Sequence, residues 1–185
     1  MKRPLLTGVA AIVGLCALGT AGTFGFIYSG LFDYRATSPH FAVVTWALHQ
    51  TYQSAMEART DDIAIPANLE TNERVLAGAA LYQQHCALCH SAPGTKLDPI
   101  GAGIYPEAPN LLKATRKNRP NQVYYVAKYG IKMTGMPAFG NSFDDDSLWA
   151  IAAFLHKDKG ISATDYATLT KAAATTATVA APVSQ

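Results

Sequence analysis

Charge is scarce in this chain and unevenly spread. Only 15% of its 185 residues are Asp, Glu, Lys or Arg, against roughly a quarter in ordinary soluble domains. None falls between Arg3 and Asp33, and after Asp165 only Lys171 remains. With those ends set aside, the middle has ordinary globular composition. Fifteen Lys and Arg against thirteen Asp and Glu leave a net +2, which gives no reason to expect nucleic acid or another polyanion as partner. Three cysteines are too few to staple a chain of this length, so a disulfide scaffold is excluded. No alternation of apolar and polar residues runs long enough for a useful strand, so the folded part is expected to be all-α. The length suits one compact domain with accessory segments.

What is present begins with the uncharged run itself. Residues 4–32 carry 29 consecutive uncharged positions behind Lys2 and Arg3. As a helix this run would be roughly 43 Å long, against a hydrocarbon core of about 30 Å. It can span a bilayer with some tilt, and Lys2 and Arg3 place its start on the cytoplasmic side. A cleaved signal peptide competes, with an apolar core at Leu5–Leu18 and small residues Gly19 and Ala21 before a cut. Phe24, Phe26, Ile27, Tyr28, Leu31 and Phe32 continue the apolar character past that point and favour a retained anchor. Cys16 does not make a lipoprotein signal, because Leu15 stands where a small residue is needed. Both readings export the remainder across the inner (cytoplasmic) membrane. The expected division is an anchor over 1–33, an amphipathic linker helix within 34–66, a helical domain over 67–162 and a disordered tail over 163–185.

In the linker, Ser38 and Pro39 read as N-cap and first helical residue. Phe41, Val44, Leu48, Tyr52 and Met56 follow at helical spacing, a stripe expected to pack on the main domain or on the membrane surface. His40 and His49 read as solvated or packed histidines rather than ligands. A helix from about Thr71 carries Val75, Gly78, Leu81 and Tyr82 toward Cys86. Seven Pro and Gly residues from Pro93 to Pro109 predict a long irregular loop. Pro120 can open a helix reaching Tyr129, with Gly130 as its left-handed cap. Asp144, Asp145 and Asp146 favour the start of another, whose Leu148, Trp149, Ile151, Ala152, Phe154 and Leu155 are expected to be largely buried. After Tyr166 the chain is rich in Ala and Thr and is expected not to order itself.

Cys86-Ala87-Leu88-Cys89-His90 is a C-x-x-C-H haem attachment sequence. Two thiols one helical turn apart can form thioethers with the two vinyl groups of one haem, and His90 can then bring an imidazole nitrogen to the iron. A thioredoxin-like dithiol would follow a strand, and a helix precedes this motif. A structural zinc site would need a second Cys/His pair, and no other C-x-x-C exists; His85 beside Cys86 is awkwardly placed to help. One covalently attached haem c is therefore expected. For the sixth ligand the candidates are Met133, Met136 and His156. Met136, in Gly135-Met136-Pro137-Ala138-Phe139-Gly140, lies on the loop before the last helix and is the residue assigned, with Met133 chemically able three residues away. His156 is expected to meet solvent. A thioether ligand favours ferrous iron and raises the potential.

These residues, taken in order, resemble a class I c-type cytochrome over residues 72–160. Gly78-x-x-x-Tyr82-x-x-x-Cys86-x-x-Cys89-His90 is similar to that family's first helix entering its haem motif. Gly130 through Met136-Pro137-Ala138-Phe139 resembles the distal-ligand loop, and Leu148-Trp149 with Phe154-Leu155 the closing helix. The resemblance implies that first and last helices cross at Gly78, with Tyr82, Trp149 and Phe154 around the crossing. It also implies a proline carbonyl behind the ligating histidine, a role for which Pro99 and Pro109 compete. The segments before residue 67 lie outside the resemblance.

With both axial positions filled, the chemistry expected is outer-sphere electron transfer rather than catalysis. The function expected is that of a membrane-tethered periplasmic carrier between respiratory or dehydrogenase partners. A fixed cytochrome subunit of a membrane oxidase or dehydrogenase complex is the alternative. An iron opened by methionine dissociation, for gas sensing or peroxide chemistry, is a third. Lys113, Arg116, Lys117, Arg119, Lys128 and Lys132 fall between Glu107 and Asp144 without an acid among them. They could form a docking face for an acidic redox protein, or a scattered solvated surface.

Overall fold

In a computed structural model the described residues are 2–179, with side chains described from Pro4 onward except Leu5 and those after Thr175. All regular structure among them is helical. The chain parts into two compact units at Ser38. The first holds α1, Lys2–Tyr28. Within it Leu6–Tyr28 is apolar and long enough to cross a membrane, with a mean hydropathy of 1.8 and nothing packed over it. Its hydroxyls are satisfied inside the helix: Thr20 Oγ1 donates to the Cys16 carbonyl at 2.8 Å and Thr23 Oγ1 to the Gly19 carbonyl at 2.9 Å. That is what a helix in lipid requires of its polar groups.

The second unit opens with α2, Ala42–Thr60. It starts later than Ser38 and Pro39 suggest, and its cap position is Phe41, whose side chain makes no capping bond. Met56 and Thr60 are buried at its far end, where Asn121 Nδ2 donates to the Thr60 carbonyl at 2.8 Å. The stripe anticipated from the sequence therefore packs on the domain only over its last turns. Phe41 and Leu48 stay exposed.

α3 spans Asn72–Leu81 and is capped by Thr71, whose side chain accepts from the Arg74 amide. It runs into a π-helical turn, Tyr82–Cys86, and then α4, Ala87–His90. A short α5, Pro99–Ala102, interrupts the loop region, with Asp98 accepting from the Ile100 amide at 2.8 Å. α6, Pro120–Tyr129, begins at the expected proline. α7, Asp145–Lys157, is capped by Asp144, which accepts from the Ser147 amide at 2.8 Å.

α3 and α7 form the main packing pair. They can approach because position 78 has no side chain. A Cβ there would overlap the Ala150 carbonyl and stand 2.9 Å from Phe154 Cβ. Around this crossing Tyr82, Leu148, Phe154 and Leu155 are fully buried. α6 closes on α7 through Tyr124 and Trp149, stacked 4.2 Å apart at an interplanar angle of 5°.

The expectation of a disordered tail from residue 163 is corrected over most of its length. Ala163–Val179 is a helix, α8, packed against α3. Tyr166 and Ala173 supply buried contacts, and Tyr166 Oη donates to Gln83 Oε1 at 2.6 Å. Alanine is the best helix former, and one aromatic in the right register gives the segment enough to bury. The remaining residues of the anticipated tail, 180–185, lie outside the described residues.

Candidate haem site

The site begins where α3 changes pitch. The π-helical turn ends on Cys86, and such turns recur at functional positions because they re-aim the side chains after them. Cys86 is buried, Cys89 is half-buried, and neither forms a disulfide. Burial pushes the Cys86 thiol up to about 12, Cys89 adding to the effect. Tyr82, wholly buried at the start of this turn, donates its hydroxyl to the Ser91 carbonyl at 2.7 Å. That bond holds the chain as it leaves His90, where Ser91 takes a positive φ of 65°. On the other side α5 lies close: a Cβ at Gly101 would overlap the Leu88 carbonyl and stand 3.1 Å from Cys89 Cα.

His90 is fixed by one bond. Its Nδ1 lies 2.7 Å from the Pro109 carbonyl, which can only accept, so Nδ1 carries the proton and Nε2 keeps its lone pair. Of the two prolines left open by the sequence, Pro109 takes the role. Burial lowers the imidazole's pKa, the Pro109 carbonyl opposing this and Arg116 adding to it. The residues fit a covalently held haem: two free thiols one turn apart, then an imidazole oriented with one nitrogen available to iron.

The loop that carries Pro109 is tied down by a residue that sequence reading missed. Asn118 is buried at a positive φ of 41°. Its Nδ2 donates to the Leu111 carbonyl and to the Leu155 carbonyl, both at 2.7 Å. His156 Nδ1 in turn donates to the Asn118 carbonyl at 3.1 Å. His156 is thus engaged in the fold rather than solvated, which corrects that expectation. The signal for Asn118 was faint: Asn tolerates the left-handed region better than other side chains, and here it precedes Arg119-Pro120.

The other part of the expected site is the loop between α6 and α7. The Ile131 amide donates to the Met136 carbonyl at 3.1 Å, and the Met136 amide to Thr134 Oγ1 at 3.1 Å. This closed turn leaves Met136 half-buried and Met133 87% exposed at a positive φ of 62°. Gly130 ends α6 at φ 67°, ψ −171°, a region open in practice only to glycine and not the left-handed cap expected. A Cβ there would stand 2.8 Å from Met136 O and from Ala138 N. At Gly135 it would meet Ile104 Cγ2 at 2.6 Å, so the loop following the haem motif touches the methionine loop.

Of the expected docking cations, Lys113, Arg116, Lys117, Arg119 and Lys132 are exposed. Lys128 is engaged: its Nζ donates to Asp145 Oδ1 at 2.6 Å and to Tyr124 Oη at 2.9 Å.

Residues 73–155 match the family described as cytochrome c oxidase, cbb3-type, subunit III. Residues of this chain are also 35% identical over 80 positions to dihydro-heme d1 dehydrogenase of Pseudomonas aeruginosa. That stretch is 43% of this chain and 15% of the relative, so the likeness covers a small part of the larger protein. No solved structure matches. The matched region coincides with the helices and loops that hold Cys86, Cys89, His90 and Met136. The match and the relative support the resemblance of this region to a class I c-type cytochrome domain. That resemblance implies haem c and redox-protein partners, and this chain's N-terminal apolar helix is consistent with a membrane anchor.

Proposed function

We propose that this chain is a membrane-tethered, extracytoplasmic monohaem cytochrome c that passes single electrons between protein partners and has no substrate site of its own. One haem c would be held by Cys86 and Cys89, with His90 and Met136 as the residues that would ligate its iron. When bound, that group supplies a one-electron ferric–ferrous couple. The chain's own residues do the rest. Cys86 and Cys89 hold the porphyrin against dissociation, and Pro109 keeps the His90 lone pair on Nε2. The turn from Ile131 to Met136 presents one thioether and leaves the other in solvent. Residues 4–32 keep the domain at the inner membrane on its periplasmic side, with Lys2 and Arg3 left in the cytoplasm.

The observation that carries this reading is the 2.7 Å bond from His90 Nδ1 to the Pro109 carbonyl, immediately beyond two unpaired thiols at C-x-x-C spacing. The test is a visible spectrum of purified protein in both redox states, with intact mass, for wild type, Met136→Ala and Met133→Ala. A mass increase of one haem is expected, with a low-spin methionine-ligated spectrum lost in Met136→Ala and kept in Met133→Ala. Loss in Met133→Ala alone would overturn the ligand assignment, and a colourless mature protein would overturn the function. Carbon monoxide should bind slowly and incompletely to the reduced wild type.

A second reading is favoured by the matches themselves. The matched family is named for an oxidase subunit, and the Pseudomonas relative is a dehydrogenase more than six times longer than the shared stretch. The domain would then be a fixed electron-transfer subunit of a membrane oxidoreductase. Recovery of a stoichiometric complex in mild detergent would select this reading over a free carrier.

A further inference from the structure

The first two turns of α2 have a composition that water does not favour. Phe41-Ala42-Val43-Val44-Thr45-Trp46-Ala47-Leu48 contains one polar residue and no charge. At 100° per residue Phe41 and Leu48 share one side while Val43 and Trp46 point to the opposite one, so the helix is apolar on both sides. Such a helix is normally buried in protein or in lipid. Here Phe41 is 84% exposed, Val43 67%, Trp46 64% and Leu48 51%. The segment is nevertheless held in place at both ends. The His40 amide donates to Tyr105 Oη at 2.8 Å with the rings 5.3 Å apart, and Met56 and Thr60 are buried at the far end.

We propose that residues 41–48 seat in the lipid–water interface of the membrane that α1 enters, so that the cytochrome domain is docked on the bilayer rather than swinging on a tether. The inference rests on α1 being retained as an anchor. Two features select lipid as the occupant. First, only 12 residues lie between Tyr28 and Phe41, a backbone whose span is at most about 45 Å when fully extended. The apolar turns cannot leave the neighbourhood of the surface. Second, Tyr28, Phe32, Tyr34, Phe41 and Trp46 follow one another in sequence from the end of the span, and aromatic residues concentrate where hydrocarbon meets headgroups. Because residues 41–56 carry no Lys or Arg, the attraction is apolar, and zwitterionic phosphatidylcholine should serve as well as anionic lipid.

The full haem-loaded chain carrying Cys16→Ser is reconstituted in phosphatidylcholine vesicles. Nitroxide labels are placed singly at Val43→Cys, Ala47→Cys and, for reference, Ser54→Cys. Collision with dissolved oxygen is compared with collision with a water-soluble nickel chelate. The oxygen-to-nickel ratio at 43 and 47 is expected to exceed that at 54 by about threefold or more, since oxygen partitions into apolar regions and the chelate is excluded. Equal ratios at all three positions, in a chain that survives a carbonate wash, would overturn this inference and leave the anchor standing. Labels at 43 and 47 shielded from both reagents would show a protein partner instead and would equally overturn it. Release of the chain by carbonate would overturn both the anchor and the docking.

Discussion

Among single residues, those that hold the ligands are as decisive as the ligands, and Asn118 shows why. Two carbonyls, a half-buried one at Leu111 and a buried one at Leu155, depend on its one amide group. Leu111 lies two residues beyond the carbonyl that orients His90. Leaving a buried acceptor unpaired costs about 1–3 kcal/mol, so Asn118→Ala should lose about 3 kcal/mol in denaturant unfolding. Asn118→Asp keeps the shape and the tolerance of positive φ but turns an acceptor toward two carbonyls, and it should be at least as damaging. Asn118→Gly keeps the backbone freedom alone. If it proves as stable as wild type, the hydrogen bonds are not what matters. Gly130 acts on the methionine loop. Gly130→Ala brings a Cβ against Met136 O and Ala138 N at a φ that alanine avoids. The loop must shift, and the methionine–iron absorption should weaken or vanish while the haem mass increment is unchanged. Neither role could be read from composition. The C-x-x-C-H motif and the choice of Met136 are sequence readings that follow from the atoms haem chemistry demands. Asn118 and the choice of Pro109 over Pro99 depend on how distant loops meet.

At the level of elements, what was legible follows the strength of the local signal. α3, α6 and α7 begin at Thr71, Pro120 and Asp144, residues that terminate helices by satisfying or removing free amides. They were expected where they occur. α2 starts late because the cap at Ser38 does not form, and α8 was missed because an Ala/Thr sequence has no amphipathic pattern. Its ordering rests instead on tertiary contacts, chiefly Tyr166 over Phe154 and against Gln83, with Ala173 buried further along. Tyr166→Ala should therefore cost about 3 kcal/mol, at the lower end for deleting a buried aromatic. It should also bring fast hydrogen exchange to residues 163–175 while α3 and α7 stay protected. Tyr166→Phe should lose far less. The start of α7 contributes a pH dependence. The hydrogen bond from Lys128, with a further one from Tyr124, holds the Asp145 carboxyl below its ordinary value of 3.8. The native state then binds fewer protons than the unfolded chain, so this stabilisation is complete above that value and fades as the pH falls through the lowered one. Asp145→Asn should lower the melting temperature at pH 7, and the gap to wild type should close only below pH 3.8. A gap that persists there would mean that packing, not charge, is at work.

For the whole molecule the question is how the electron's protein partners are found, and the arrangement of charge gives a measurable answer. The chain is nearly neutral at +2, so no global field steers it. What remains local is the run Lys113, Arg116, Lys117 and Arg119, all exposed and free of acids in sequence, with Lys132 further on. Lys128, committed to Asp145 and Tyr124, drops out of this set. The same loop carries Pro109 and Asn118, which ties the basic run to the segment behind His90. A partner with an acidic face would meet positive charge near the haem side that the motif defines, and complementary charge mainly raises the rate of encounter. The rate of reduction by an acidic redox protein should then fall as salt rises from 10 mM to 150 mM, as the Debye length shrinks from about 30 Å to about 8 Å. Replacing Lys113, Lys117 and Arg119 together by Gln should reduce the low-salt rate by about tenfold and flatten that dependence, leaving the spectrum intact. Lys128→Gln should cost stability and leave the salt slope alone. A flat profile in the wild type would assign recognition to apolar contact instead.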